Sequence, residues 1–111
     1  MSRTAIHPGR HLAEQLKALG MSAAELGRQL KVPTNRITGI MNGERALTGD
    51  SALRLAHFFG NSPEFWLSLQ KVYDLRIAEQ KAAASIRRLP KLAEYLKGQN
   101  HGPQMRDMSP K

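Results

Sequence analysis

The chain has 111 residues, with 17 Lys and Arg against 9 Asp and Glu, a formal charge of +8. That length supports one hydrophobic core rather than two, and the charge suits a polyanionic partner such as nucleic acid or an anionic membrane surface. With no Cys, disulfides, thiolate zinc sites and a Cys nucleophile are excluded, and no apolar run approaches the roughly 20 residues of a membrane-spanning helix.

The opening segment, MSRTAIHPGR, lacks the apolar stretch of a signal peptide, so a cytoplasmic protein is expected. A first helix follows Pro8: Leu12, Leu16 and Leu19 recur at i, i+4 and i+7, and Gly20 is placed to end it. Ser22 and Glu25 form an S-x-x-E capping box for a second helix, with Ala23, Leu26 and Leu30 on one face. Lys31-Val32 is the turn. Pro33 then opens a third helix that buries Ile37, Ile40 and Met41 and stops at Asn42-Gly43. Thr48 reads as the N-cap of a fourth helix, with Asp50 in its first turn, a buried face of Ala52, Leu55, Ala56 and Phe59, and Gly60 at its end. Ser62-Pro63-Glu64 starts a long fifth helix expected to run to about Arg88, before Pro90. Leu92, Tyr95 and Leu96 allow one more short helical turn. Nothing reads as a strand. Residues 1–97 are therefore expected to form one all-α domain, and residues 98–111, which lack periodicity, a flexible tail.

The segment from Ser22 to Arg45 has the form of a helix-turn-helix, whose second helix lies in the DNA major groove. With Ile37, Ile40 and Met41 inward, Thr34, Asn35, Arg36, Thr38 and Gly39 face away from the core or flank it. Arg pairs bidentately with guanine, Asn with adenine, and Thr offers a hydroxyl and a methyl to thymine. Gly39 leaves room for close approach to a groove wall. Ser22 and the second helix's first amides are expected to grip phosphate, and Arg45 supplies a second phosphate clamp. The plain alternative is an ordinary solvated helix face.

The run HPGRHLAEQLKALGMSAAELGRQLKVPTNRITGIMNGERALTGDSALRLAHFFGNSPEFWLSLQKVYDL resembles the HigA antitoxin family, the VapI-type branch of the Xre (phage-repressor-like) helix-turn-helix proteins. HPG, VPTNRITGIMNGER, ALRLAHFFG and SPEFWLSLQKVYDL carry the likeness, which spans residues 7 to 75. The resemblance implies a five-helix, phage-repressor-like homodimer that represses its own operon and neutralises a HigB toxin, a RelE-like ribosome-dependent mRNA-cleaving protein. It also implies that Thr34, Asn35, Arg36 and Thr38 contact bases. Glu44 stands where such sequences often carry a base, which weakens the phosphate grip of the loop.

On the fifth helix, Phe65, Trp66, Leu69, Val72, Tyr73 and Ile77 span an apolar arc wider than packing on a small core requires. The start of this helix is expected in the core. Leu69, Val72, Tyr73 and Ile77 are expected in a twofold dimer interface that sets two recognition helices one DNA turn apart on a palindromic operator. Glu14 and Glu25 offer acidic contacts for a basic toxin. His7, His11, His57 and His101 lack metal-ligand spacing and read as surface histidines, and Lys81, Arg87, Arg88 and Lys91 as a solvated basic cluster. No catalytic motif occurs, so neither an enzyme nor a cofactor is expected. A plain Xre-type repressor without a toxin partner is the alternative function.

Overall fold

A helix survives where something meets the unpaired amides of its first turn, and it stops where a residue leaves the right-handed region. The computed structural model, which describes residues 4–98, shows six helices built on those terms: α1 Pro8–Leu19, α2 Ala23–Leu30, α3 Thr34–Met41, α4 Gly49–Phe59, α5 Pro63–Arg87 and α6 Leu92–Lys97. His7 Nδ1 accepts the Gly9 amide of α1 at 2.9 Å. Ser22 Oγ accepts the Glu25 amide of α2 at 3.0 Å, and Ser62 Oγ the Phe65 amide of α5 at 3.0 Å. Thr48 Oγ1 accepts the Ser51 amide of α4 at 3.3 Å. The expected capping box at α2 is only half formed. Its Glu25 carboxylate turns to Arg28 and Gln29, because charged and amide donors one helical turn away outcompete a backbone amide.

The turn between α2 and α3 is tight because Lys31 takes a left-handed conformation at φ 59°, the one positive-φ residue besides glycine among the described residues. Its amide donates to Arg28 O at 3.3 Å and that of Val32 to Gly27 O at 3.0 Å, which satisfies the last carbonyls of α2. Gly9 serves a different need. A Cβ there would lie 1.7 Å from the carbonyl oxygen of Ile40, so α1 crosses α3 closely enough to admit only hydrogen.

Contacts divide the chain after Gln80, inside α5. In the first unit the core combines Leu12 and Leu16 of α1, Leu26 and Leu30 of α2, Ile37 and Ile40 of α3, Ala52, Leu55 and Ala56 of α4, and Trp66 of α5. Each buried Leu or Ile contributes about 1.5–3 kcal/mol by leaving water. Leu19 departs from expectation: it is 59% exposed, because the last turn of α1 runs past the core. Met41 is only half-buried. Leu47 and Gln70 were absent from the expected core. Gln70 Oε1 accepts the Leu47 amide at 2.8 Å, its Nε2 donates to Asp74 at 2.9 Å, and Leu47 is thereby tucked under α5. Trp66 Nε1–H donates to Asn61 Oδ1 at 2.8 Å, so the buried indole is satisfied.

In the second unit α5 tightens at its end, with the Arg88 and Leu89 amides on Ser85 O and Ile86 O at 3.2 and 3.0 Å. After Pro90 the Lys91 amide donates to Glu94 Oε1 at 2.9 Å and opens α6, the expected short turn. Of the expected tail only Gly98 is described; residues 99–111 lie outside the described residues. No helix among the described residues is long and apolar enough to cross a membrane.

Candidate nucleic-acid interface

Ile37 and Ile40 are buried against α1 and α2, and that anchoring decides which side of α3 meets solvent. Thr34 and Asn35 are exposed on its first turn, Arg36 and Thr38 are half-buried beside them, and Thr38 Oγ1 donates to Asn35 O at 3.4 Å. The exposed end of α3 is thus its N-terminal end, the end that reaches base edges in a helix-turn-helix. A small cleft in α2 makes this possible: a Cβ on Gly27 would stand 2.9 Å from the Val32 carbonyl oxygen, so the chain folds back directly over Gly27.

Ser22 stays exposed at the start of α2. Its oxygen is occupied by the Glu25 amide, but the hydroxyl proton of a serine that accepts can still be donated, so phosphate contact remains chemically open. Gly39 differs from expectation. It is buried, and the Arg45 stem fills the space beside it: a Cβ on Gly39 would meet Arg45 Cδ at 2.8 Å and Cγ at 2.9 Å. Its lack of a side chain therefore makes room for Arg45, not for a groove wall. The loop is tied back by the Glu44 and Arg45 amides, which both donate to Gly39 O, at 2.8 and 3.0 Å. Arg45 itself is exposed, laid along the C-terminal half of α3.

Arg36 is not free. Its Nη1 donates to Asp50 Oδ2 at 2.6 Å, and the same oxygen accepts from Arg54 Nε at 2.9 Å. Arg54 Nη1 in turn donates to the Leu30 carbonyl at 2.7 Å, at the end of α2. Hydrogen bonds from Arg36 and then Arg54 hold the Asp50 carboxyl below its ordinary pKa, so it stays ionised. The expectation for Asp50 is a place in the first turn of α4, and none attaches to Arg54. Their i, i+4 spacing on α4 was a usable signal, but the link to Arg36 joins residues 14 apart.

Two histidines expected at the surface are structural. His7 sits edge-on to Tyr73, ring centroids 4.8 Å apart, and hydrogen-bonds to the backbone of Arg45. His11 packs edge-on against Phe65 and Trp66 at 5.3 and 5.5 Å. His57 is exposed, while His101 lies outside the described residues. Glu25 pairs with Arg28 within the chain, while Glu14 is highly exposed and only 3.9 Å from Arg10, a weak surface pair.

Along α5, Trp66 is buried, and Phe65 and Leu69 pack against the core. Tyr73 and Ile77 are half-buried, and Tyr73 is engaged by His7. The large apolar residues left to solvent are Leu67 at 39%, Val72 at 46% and Leu75 at 56% exposure, with Ile86 at 56% in the second unit. Trp66 and Leu75, nine residues apart at 3.6 residues per turn, stand on opposite sides of the helix. Lys81, Arg87, Arg88 and Lys91 are all exposed.

Residues 12–66 match the helix-turn-helix family. The chain is 47% identical to Virulence-associated protein I of Dichelobacter nodosus over 77 residues, covering 68% of this chain and 71% of that one. Among solved structures it resembles an addiction module antidote protein of a HigA family from Coxiella burnetii, with a TM-score of 0.79, 50% identity, and coverage of 80% of this chain and 98% of that one. It also resembles the Pseudomonas aeruginosa antitoxin HigA solved with the higBA promoter, with a TM-score of 0.77, 33% identity, and coverage of 80% and 99%.

Proposed function

We propose a function from one premise: the chain belongs to the HigA/VapI-type branch of the Xre helix-turn-helix family. It is a sequence-specific binder of double-stranded DNA that acts as a twofold dimer, represses its own operon and neutralises a HigB-like mRNA-cleaving toxin. One observation carries the DNA reading. The first turn of α3 exposes Thr34 and Asn35, with Arg36 half-buried beside them, on a helix anchored in the core by Ile37 and Ile40. These are base-reading residue types on a packed helix, at the end that reaches base edges in helix-turn-helix proteins. Thr38 adds a second-turn contact, and Ser22 and Arg45 grip phosphate on either side, with Gly39 letting the Arg45 stem lie flat. The relatives' structures support the same reading, since one of them was solved with promoter DNA.

The dimer contact is placed on α5, where Val72 and Leu75 are exposed to solvent and Leu69, Tyr73 and Ile77 are half-buried towards the side of Trp66. A twofold pair spaces two recognition helices by about 34 Å, so the operator is a palindrome. The toxin contact relies on apolar burial and local acidic groups, with Glu14, only weakly paired with Arg10, the more available of the two carboxylates.

Selection from a randomised duplex pool should return a palindrome. On it, Arg36→Ala should lower affinity by about 1–3 kcal/mol and relax preference at one base pair per half-site. Unchanged affinity and preference would remove Arg36 from the reading residues. Co-expression with the product of the adjacent gene tests the second half. A product that is toxic alone, silenced by this chain and co-purified with it supports the antitoxin. One that is harmless and does not co-purify leaves a plain repressor.

A further inference from the structure

We infer that Asp50, held by Arg54, is a positioning residue that presents Arg36 to a base; the inference rests on the DNA reading above. Three groups form a chain of contacts from α3 to the end of α2. Arg36 Nη1 and Arg54 Nε converge on Asp50 Oδ2 at 2.6 and 2.9 Å, and Arg54 Nη1 reaches the Leu30 carbonyl at 2.7 Å. The far end of that chain is the Leu30 carbonyl, so Arg54 ties the carboxylate to the backbone at the end of α2. Arg36, half-buried at the edge of α3, is thereby tied to a group on a different helix.

The energetics favour orientation over stability as the purpose of these contacts. The side chains of Arg36 and Asp50 are 32% and 54% exposed, and ion pairs at such exposure add little to folding. A long arginine side chain, by contrast, loses much rotamer freedom when it docks on a base, and a partner that restricts it beforehand removes part of that cost. A guanidinium that gives one N–H to a carboxylate keeps further donors for the two acceptors of guanine. Nor does Asp50 simply repel DNA, because two arginines share its charge and the trio remains net positive. The predicted preference is guanine at the base pair facing Arg36.

The test uses the full-length protein and the duplex selected by the wild type, with random-sequence duplex as the comparison. Asp50→Asn should bind the selected duplex about tenfold more weakly. The loss should fall at the base pair that Arg36→Ala releases, and binding to random duplex should be unchanged or slightly tighter. Asp50→Glu should recover most of the preference. In the Arg36→Ala background, Asp50→Asn should change nothing further. Thr48 caps α4 independently of Asp50, so the helix should stay formed in these variants. Arg54→Gln, which loosens Asp50 without touching it, should give a smaller loss at the same base pair.

If Asp50→Asn keeps the wild-type preference, or tightens selected and random duplex in equal proportion, the carboxylate does not position Arg36. Additive effects in the double variant would overturn the inference as well. A wild type that selects no sequence would fail the DNA reading itself, an outcome told apart because it appears before any variant is made.

Discussion

His7 makes two hydrogen bonds that a protonated ring cannot keep together. Nδ1 accepts the Gly9 amide, and the ring also bonds the Arg45 backbone, which requires the neutral tautomer with its proton on the other nitrogen. Burial pushes its pKa below the ordinary 6.5, partly offset by the Arg45 backbone and the Asp74 charge. The unfolded chain therefore takes up the proton first, so the stabilisation is complete above 6.5 and is lost as pH falls from there through the folded value. Urea midpoints should fall between about pH 8 and pH 5 by more in the wild type than in His7→Asn, which keeps an amide-accepting cap without a titrating ring. Equal falls would place the acid sensitivity elsewhere. Arg45 lies at the other end of this contact. Arg45→Ala should weaken selected and random duplex alike and lower the salt slope by about 1, because a phosphate contact carries no sequence information. A loss confined to the selected duplex would make Arg45 a base reader. Thr34, Asn35, Arg36 and Arg45 were legible as candidates because side-chain chemistry and helix position are both written locally. Asp50 and Arg54 were not, since their role depends on which helix lies beside them.

Among the elements, α3 is positioned by what packs behind it. The hydrogen of Gly9 is all that separates α1 from the backbone of α3, a Cβ there falling 1.7 Å from Ile40 O. Gly9→Ala should force the two helices apart and cost at least the roughly 1–3 kcal/mol typical of overpacking, read as a lowered thermal midpoint. An unchanged midpoint would mean that α1 can slide without loss. HPG was legible as a helix start, and its Pro at N1 agrees with that reading, but no periodicity announces a crossing this close. The caps at Ser22, Thr48 and Ser62 were read correctly because each is settled within three residues. The Glu25 half of the capping box was misread for the same local reason: Arg28 and Gln29, also within reach, are stronger competitors.

For the molecule as a whole, α5 leaves Val72 and Leu75 exposed to solvent. An Asp placed at Tyr73 would break the intrachain contact with His7 as well as any interface, so it is a poor probe. Leu75, 56% exposed and opposite Trp66, is a cleaner one. Leu75→Asp should halve the mass seen by light scattering while helical content is kept, and weaken binding to the palindrome more than to a half-site. An unchanged mass would move the interface off this side of α5. The amino-acid sequence by itself determined the all-α class, the helix boundaries, the helix-turn-helix and the polar side of α3. Each depends on caps, breakers and spacings within a few residues, where backbone geometry leaves few options. Only the tertiary structure decided that Arg36 meets Asp50, that Gln70 holds Leu47 across 23 positions, and that His7 joins α1 to Tyr73 and the Arg45 loop. Those meetings are set by how helices cross, and crossing follows from the fit of the whole core rather than from any one stretch of chain.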